Sequence, residues 1–348
     1  MNLIRQSSIF SKIVLVSFFI LSSFLLIEQS VLANEMLTQC EENRSALDIG
    51  SGATKYKVFK INHCEKKIVS TLFEKQYPIL FKENLNKDQN VEKNFSPEIF
   101  LEFETALKEV IEFNKTYKVV RFRGAATEAF RQSKNGAQFL AKLAEKENLQ
   151  LTVISQDEEA QLGFKAAFLD SKSTDKKNKL MWDIGGGSMQ IVLFDQNIFH
   201  SYLGKMASVS FKDLVINEVK KLDSTKINSP NPLSKTEVDA ALVLARSNVK
   251  SIPPAIKEKI SPDTEVVGVG GVFQFSLLGQ LKKEDGFSLK DLKSLLVKRT
   301  NLNDEDFKSK YASTELTNII LVSGFMEELK IPQLKVRKVN LTEALVMD

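Results

Sequence analysis

Histidine is nearly absent from this chain: His63 and His200 are the only two in 348 residues. No cysteine–histidine group has the spacing of a zinc site. No serine sits in a nucleophile-elbow pattern, and no Ser/His/Asp set is suggested, so acyl transfer is excluded. Charge of one sign is scarce as well. The formal net charge is only +4, and the lysines are scattered with no basic stripe interleaved with aromatics, which argues against nucleic acid as a partner. Beyond residue 33 no apolar run is long enough to span a bilayer. Cysteine is limited to Cys40 and Cys64.

What remains is ordinary for a globular protein, with 43% hydrophobic and 26% charged residues. The length allows two domains. Residues 1–33 read as a signal peptide: Arg5 and Lys12 precede an apolar run at 13–27, and Val31-Leu32-Ala33 offers a cleavage site. An uncleaved anchor is the alternative. Leu37-Thr38-Gln39-Cys40 is a poor lipobox, because Gln39 is too large and the apolar run too distant. Cleavage predicts a periplasmic or secreted protein with no membrane attachment. A homodimer is compatible with this reading.

The most informative feature is a repeat. Asp48-Ile49-Gly50-Ser51-Gly52 returns as Asp183-Ile184-Gly185-Gly186-Gly187, 135 residues later. In each, apolar residues lead into one Asp, a glycine-rich corner follows, and strand-like residues come next (55–61 and 190–194). The pattern is strand, tight turn, strand, twice. Glycine-rich turns expose successive backbone N–H groups, which bind anions. An Asp at the end of each first strand can hold a cation that the anion also needs. Two such corners facing each other would grip a polyphosphate. The competing reading is an Asp capping each turn, with glycines chosen for positive φ. A turn at Gly50–Gly52 also sets Cys40 and Cys64 nearly opposite each other at the open end of the hairpin, within disulfide reach, and an exported chain would oxidise them; two unpaired structural thiols are the alternative.

A strand is expected at 67–73. Ser96 should cap a helix with Pro97 in its first turn. Then follow a strand at 119–122 with its exit loop at 124–127, helices at 128–132 and 137–146, a strand at 151–154, and a helix from Ser155. The polar segment 171–179 is the expected linker between an N-terminal lobe (34–170) and a C-terminal lobe (180–348). In the second lobe, helices are expected at 211–220, 235–247, 289–298 and 314–329, a strand at 266–269, a last strand or turn at 336–341, and a short terminal helix. Alternating strands and helices make the fold class α/β, with a cleft between two similar lobes.

Three further motifs bear on chemistry. Thr127 stands at a strand-to-helix turn, and Arg131 lies one helical turn on, where it can reach the same anion; a capping Thr and a surface Arg are the alternative. Ser155 with Glu158 fits a capping box, yet Glu158 or Glu159 could aim into the cleft and order a water. The strand at 266–269 runs into Gly270-Gly271, which lets a ligand approach the backbone or merely lets a strand meet a helix.

The strings ALDIGSGATKYKVF, ATEAFRQSKNGAQFL, VISQDEEA, MWDIGGGSMQIVLF and VVGVGG, in this order, resemble the exopolyphosphatase / guanosine pentaphosphate phosphohydrolase family of the actin-like ATPase superfamily. The resemblance covers about residues 44–348. It implies two ribonuclease-H-like lobes, a Mg²⁺-dependent cleft, and release of a terminal phosphate from polyphosphate or a nucleotide polyphosphate. Residue by residue, Asp48 and Asp183 would hold Mg²⁺. Gly50, Ser51, Gly52, Gly185, Gly186, Gly187 and Ser188 would cradle phosphates, with Thr127, Arg131 and Gly270 nearby. The sequence also departs from the family. Thr152 stands where the family has its water-activating glutamate, Gln156 replaces a glycine, Gln190 replaces a glutamate, and Ala53 replaces a serine. Glu158, with Gln190 and Arg131, is the expected catalytic set. A phosphate-binding protein without turnover and an apyrase-like nucleotidase are the alternatives.

Overall fold

The computed structural model describes residues 40–86, 92–169, 179–195, 198–261, 263–309 and 311–347. The expected signal peptide, 1–33, and residues 171–178 of the expected linker lie outside these.

The chain opens with β1 (Glu41–Ile49), β2 (Thr54–Asn62) and β3 (Lys67–Tyr77), followed by α1 (Phe81–Leu85) and α2 (Pro97–Thr116). Next come β4 (Arg121–Ala126), α3 (Glu128–Gln132), α4 (Gly136–Glu147), β5 (Leu151–Val153) and α5 (Gln156–Ala167). The second half repeats the scheme with β6 (Lys179–Ile184), β7 (Met189–Asp195), β8 (Ile198–Gly204), α6 (Ser208–Glu218), α7 (Lys235–Asn248) and β9 (Glu265–Val269). It continues through β10 (Gly286–Ser288), α8 (Leu289–Arg299), α9 (Ala312–Glu328), β11 (Gln333–Val336) and α10 (Leu341–Met347). Two sheets result, ordered β3-β2-β1-β4-β5 and β10-β11-β9-β6-β7-β8. In each, an antiparallel three-stranded meander is extended by two parallel strands, with β10 added antiparallel at the edge of the second sheet, so the duplication read from the two Asp-Ile-Gly corners extends to the topology. The architecture is that of two actin-like ATPase lobes.

Period-two alternation assigns each strand's faces. On the first sheet, Leu47, Ile49, Tyr56 and Val58 pack under α2, α3 and α4. The opposite face carries Ala46, Phe59 and Ile61, and it meets α5 and α10. Helix α5 lies between the sheets: Leu162 and Ala166 turn to the first, while Ala160, Phe164 and Ala167 turn to Met181, Val192 and Val267 of the second. Burying side chains such as Phe164 and Leu162 stabilises this junction by about 1.5–3 kcal/mol each. Helix α10, expected with the second lobe, returns to the first. Its Leu341, Ala344 and Leu345 pack against the first sheet's inner face, and Arg44 donates to the Val346 carbonyl at 2.8 Å. Apolar contact made late in the chain thus outweighs sequence proximity.

Two local expectations change. The strand expected to end at 122 runs to Ala126, and Gly124 is inside it rather than in an exit loop. A Cβ at Gly124 would lie 2.3 Å from Leu151 Cδ2, so glycine is there because β5 packs close. Ser96 precedes α2 in extended conformation with Pro97 at its start, but its side chain makes no cap; the hydroxyl accepts from Asn84 Nδ2 at 3.1 Å instead. Strands β8 and β10 were not anticipated. Cys40 and Cys64 are disulfide-bonded, with Cα atoms 5.5 Å apart, closing the open end of the β1–β2 hairpin where the His63 N–H reaches the Cys40 carbonyl at 2.9 Å.

Candidate active site

The two corners are built alike. In the first, Ile49 pairs with Thr54 and the Gly50 N–H donates to the Ala53 carbonyl at 3.1 Å. In the second, Ile184 pairs with Met189 and the Gly185 N–H donates to the Ser188 carbonyl at 2.9 Å. The next carbonyl of each loop is fixed from the helix after the meander: Lys82 N–H to Ser51 at 2.9 Å, and Val209 N–H to Gly186 at 2.9 Å. Gly50 and Gly185 therefore use their N–H groups to close the loops. The N–H groups of Ser51, Gly52, Gly186, Gly187 and Ser188 remain for an anion.

The side-chain row above each loop is also shared. Lys55, Asp48, Ala125 and Thr152 are register neighbours across β2, β1, β4 and β5. Gln190, Asp183 and Val269 form the matching row across β7, β6 and β9. Asp48 is buried and Asp183 is partly open to the cleft. Lys55 Nζ lies 3.8 Å from Asp48 Oδ2. Burial raises the Asp48 carboxyl above its ordinary range against the pull of Lys55. Burial likewise pushes Asp183 up to about 6, with Lys55 pulling down and Asp48 pushing up. Each aspartate feels the field of its neighbourhood, and Lys55 acts on both. Asp48 and Asp183 lie near enough for the charge of Asp48 to act on Asp183. Lys55 was not singled out from sequence, although its opposition to Asp48 follows from the hairpin register.

The two glutamates of α5 have separate roles. Glu158 is the capping residue: its Oε2 accepts from the Ser155 N–H at 2.8 Å, while the Glu158 N–H donates to Ser155 Oγ at 3.1 Å. Those hydrogen bonds lower its carboxyl's proton affinity, so the expectation that Glu158 serves as a base in the cleft is corrected. Glu159 is the residue turned inward. It accepts from Arg131 Nη2 at 2.8 Å. Burial pushes its carboxyl up to about 7; Arg131 opposes this, and Asp48 and Asp183 add to it. Arg131 also donates to the Ile154 carbonyl at 3.0 Å, so its guanidinium is anchored at the cleft through Glu159 rather than free on the surface. Thr127 is buried rather than open to an anion. Its N–H and hydroxyl both bond the Ile49 carbonyl, at 3.2 and 3.4 Å, which ties β4's exit to the first corner.

Gln190 is buried and donates to Ser188 Oγ at 3.2 Å, bracing the second corner. Gly270 has φ +87°, and a Cβ there would meet Asp183 Oδ1 at 2.1 Å. Its role is to let β9's exit approach Asp183. A further cluster had no sequence signal. Lys82 Nζ donates to Glu128 Oε1 at 2.9 Å and to Gln132 Oε1 at 2.6 Å, and Gln132 Nε2 donates to the same Glu128 oxygen at 2.9 Å.

Among the described residues, no three acidic, cysteine or histidine side chains converge as a ready metal cage. Asp48 and Asp183 nonetheless fit Mg²⁺, a hard cation usually held by one or two carboxylates together with substrate phosphates and water. Two buried acids repelling each other are stabilised by a cation, and Glu159 beside them is tied to Arg131.

The model of the Ppx/GppA phosphatase family matches residues 58–347. The fold is similar to that of the Aquifex aeolicus PPX-GPPA enzyme, with a TM-score of 0.71 and 17% identity over 88% of this chain and 99% of that one. An exopolyphosphatase from Cytophaga hutchinsonii gives a TM-score of 0.63 and 16% identity over 87% and 96%. A bifunctional 3-dehydroquinate synthase/phosphatase of Fusobacterium nucleatum is 28% identical over 153 residues, 43% of this chain, which spans only 23% of that relative's length. With the family model covering most of the chain and the duplicated corners in place, this protein belongs to the Ppx/GppA phosphatase family.

Proposed function

We propose that the protein is an exported, Mg²⁺-dependent hydrolase that releases terminal phosphate from polyphosphate or a polyphosphorylated nucleotide. The observation that carries this reading is the meeting of Asp48 and Asp183, each at the end of an equivalent strand, between two loops with N–H groups to spare. Membership in a phosphatase family and the disulfide of Cys40 with Cys64 support activity and export, respectively.

Phosphoryl transfer asks mainly for positioning and charge neutralisation. Ser51 and Gly52 donate backbone hydrogen bonds to one phosphate group, and Gly186, Gly187 and Ser188 to its neighbour. Lys55 and Arg131 balance the chain's negative charge. Asp48 and Asp183 would hold Mg²⁺, which would supply neutralisation of the phosphate chain's charge. Gln190 keeps Ser188 in place.

Purified protein beginning at residue 34 should release phosphate from long-chain polyphosphate, ATP or guanosine pentaphosphate in Mg²⁺, and not in EDTA. Asp183→Ala should abolish release. Tight binding of polyphosphate without release would instead identify a binding protein, the reading that Thr152 and Gln190 favour, since the family carries carboxylates there. Turnover of ATP with little action on long polyphosphate would identify a nucleotidase.

A further inference from the structure

Glu128 belongs to the first lobe, yet its carboxylate confronts the second glycine corner. A Cβ built on Gly187 would lie 3.8 Å from Glu128 Oε2 and 3.9 Å from Oε1. Those are van der Waals distances, so the bare glycine leaves a space about the size of one methyl group or one water between the carboxylate and the loop. The equivalent glycine of the first corner, Gly52, faces nothing within 4 Å. The two corners are thus alike in backbone and differ in what stands over them.

The carboxylate is held in place by its own support. Lys82 Nζ and Gln132 Nε2 both bond Oε1, each at 2.9 Å, and Lys82 is bonded to Gln132 as well. Oε2 is the oxygen nearer Gly187. Lys82 is itself fixed relative to the first corner, because its backbone N–H bonds the Ser51 carbonyl. One short helix thus braces the first loop through its backbone and aims a carboxylate at the second loop through its side chain. Such a carboxylate repels a phosphate oxygen in direct contact and attracts a water placed between them.

We propose that Glu128 is the residue that positions and deprotonates the attacking water, with Lys82 and Gln132 as its positioning residues. This rests on the hydrolase reading above. The water sits between Glu128 Oε2 and a terminal phosphoryl group on the Gly186–Ser188 N–H groups. One water proton passes to Glu128 as the water oxygen bonds to phosphorus. The bridging P–O bond breaks, and its electron pair leaves on the shortened phosphate chain. The second proton stays on the released phosphate, and Glu128, 26% exposed, returns its proton to solvent. Glu159 is the poorer choice for this step: its Oε2 is tied to Arg131 and it faces the two aspartates that hold the cation.

The test compares wild type with Glu128→Gln, Glu128→Ala and Lys82→Met in Mg²⁺, measuring kcat, KM, Mg²⁺ dependence and thermal stability. Glu128→Gln should lower kcat by about 10²- to 10⁴-fold, the usual contribution of a general base. Its KM and Mg²⁺ dependence should stay within about threefold, and formate should partly restore Glu128→Ala. Lys82→Met should lose about tenfold in kcat by releasing the carboxylate from its aim. Near-wild-type kcat in Glu128→Gln, or a loss confined to KM or cured by more Mg²⁺, overturns the assignment while leaving the hydrolase reading intact. A wild type that releases no phosphate from any of the three substrates overturns both.

Discussion

Gly270 touches Asp183 so closely that no side chain fits between them: a Cβ would stand 2.1 Å from Oδ1 and 2.9 Å from the Ile184 carbonyl. The residue is also left-handed, at φ +87°, a region that L-residues enter at a cost of about 1–2 kcal/mol. Gly270→Ala is therefore strained twice over and must push Asp183 or β6 aside. The expected result is a thermal midpoint lowered by several degrees and a Mg²⁺ requirement raised at least tenfold. Gly271→Ala is the control, since its Cβ would meet only Phe275 Cδ2 at 3.8 Å. Equal behaviour of the two variants would show that the approach of Gly270 to Asp183 does not matter.

The cleft acids predict an unusual pH dependence of stability. The carboxyls of Asp183 and Glu159 are raised in the folded protein, to about 6 and about 7, chiefly by burial, and Asp48 is raised too. Below the ordinary carboxylate range of about 4 they are neutral in both the folded and unfolded states. Between about 4 and about 7 the folded state holds more protons than the unfolded state, so stability falls as pH rises. The metal-free protein should melt several degrees lower at pH 8 than at pH 5. Asp183→Asn should flatten the slope. Mg²⁺ should stabilise the protein more at pH 8 than at pH 5, because it binds the ionised pair. Scanning calorimetry with and without EDTA checks all three; a metal-free protein most stable at pH 8 would contradict the burial argument.

The Cys40–Cys64 bridge closes the end of the hairpin far from the Asp48 corner. In the chain-entropy account a loop of this size contributes about 3 kcal/mol. The paired Cys40→Ser, Cys64→Ser variant should lose roughly that much in denaturant unfolding, with activity retained at temperatures where it stays folded. Mass spectrometry of protein from an oxidising compartment should show the two residues linked, and free alkylation of both would argue against export.

The parts of the site that lie within one hairpin were legible in the sequence, and those that need two distant segments were not. Asp48 opposes Lys55 by the hairpin count that also brings Cys64 within one residue of the position opposite Cys40. The second Asp-Ile-Gly corner repeats the first down to its closing hydrogen bond. Glu158 and Glu159 were ambiguous because adjacent helix positions differ by about 100° in direction, and only the packing of α5 between two sheets decides which one faces the cleft. Gly124 read as a loop because glycine commonly marks one, whereas its cause is Leu151 on the neighbouring strand. Lys82 and Glu128 are separated by 46 residues and carry no local pattern. The return of α10 to the first sheet depends on a surface that forms only once both lobes exist.

Thr152, where the family resemblance implies a glutamate, allows a test by gain rather than loss. It is in register with Ala125, which is in register with Asp48, so the Thr152 side chain leaves the sheet on the face that carries Asp48 and Lys55. Ala125 between them is small and buried. Thr152 is exposed, so a longer side chain there meets little resistance, and a surface substitution of this kind changes stability by only about 0.5 kcal/mol. Thr152→Glu therefore adds a carboxylate to the acidic row without repacking the core. If water activation limits turnover, phosphate release in Mg²⁺ should rise by about tenfold or more. The double variant Thr152→Glu, Glu128→Gln separates the two carboxylates: activity regained in the double variant means either position can serve the water, while activity lost in it means that the gap opposite Gly187 is the one the water occupies.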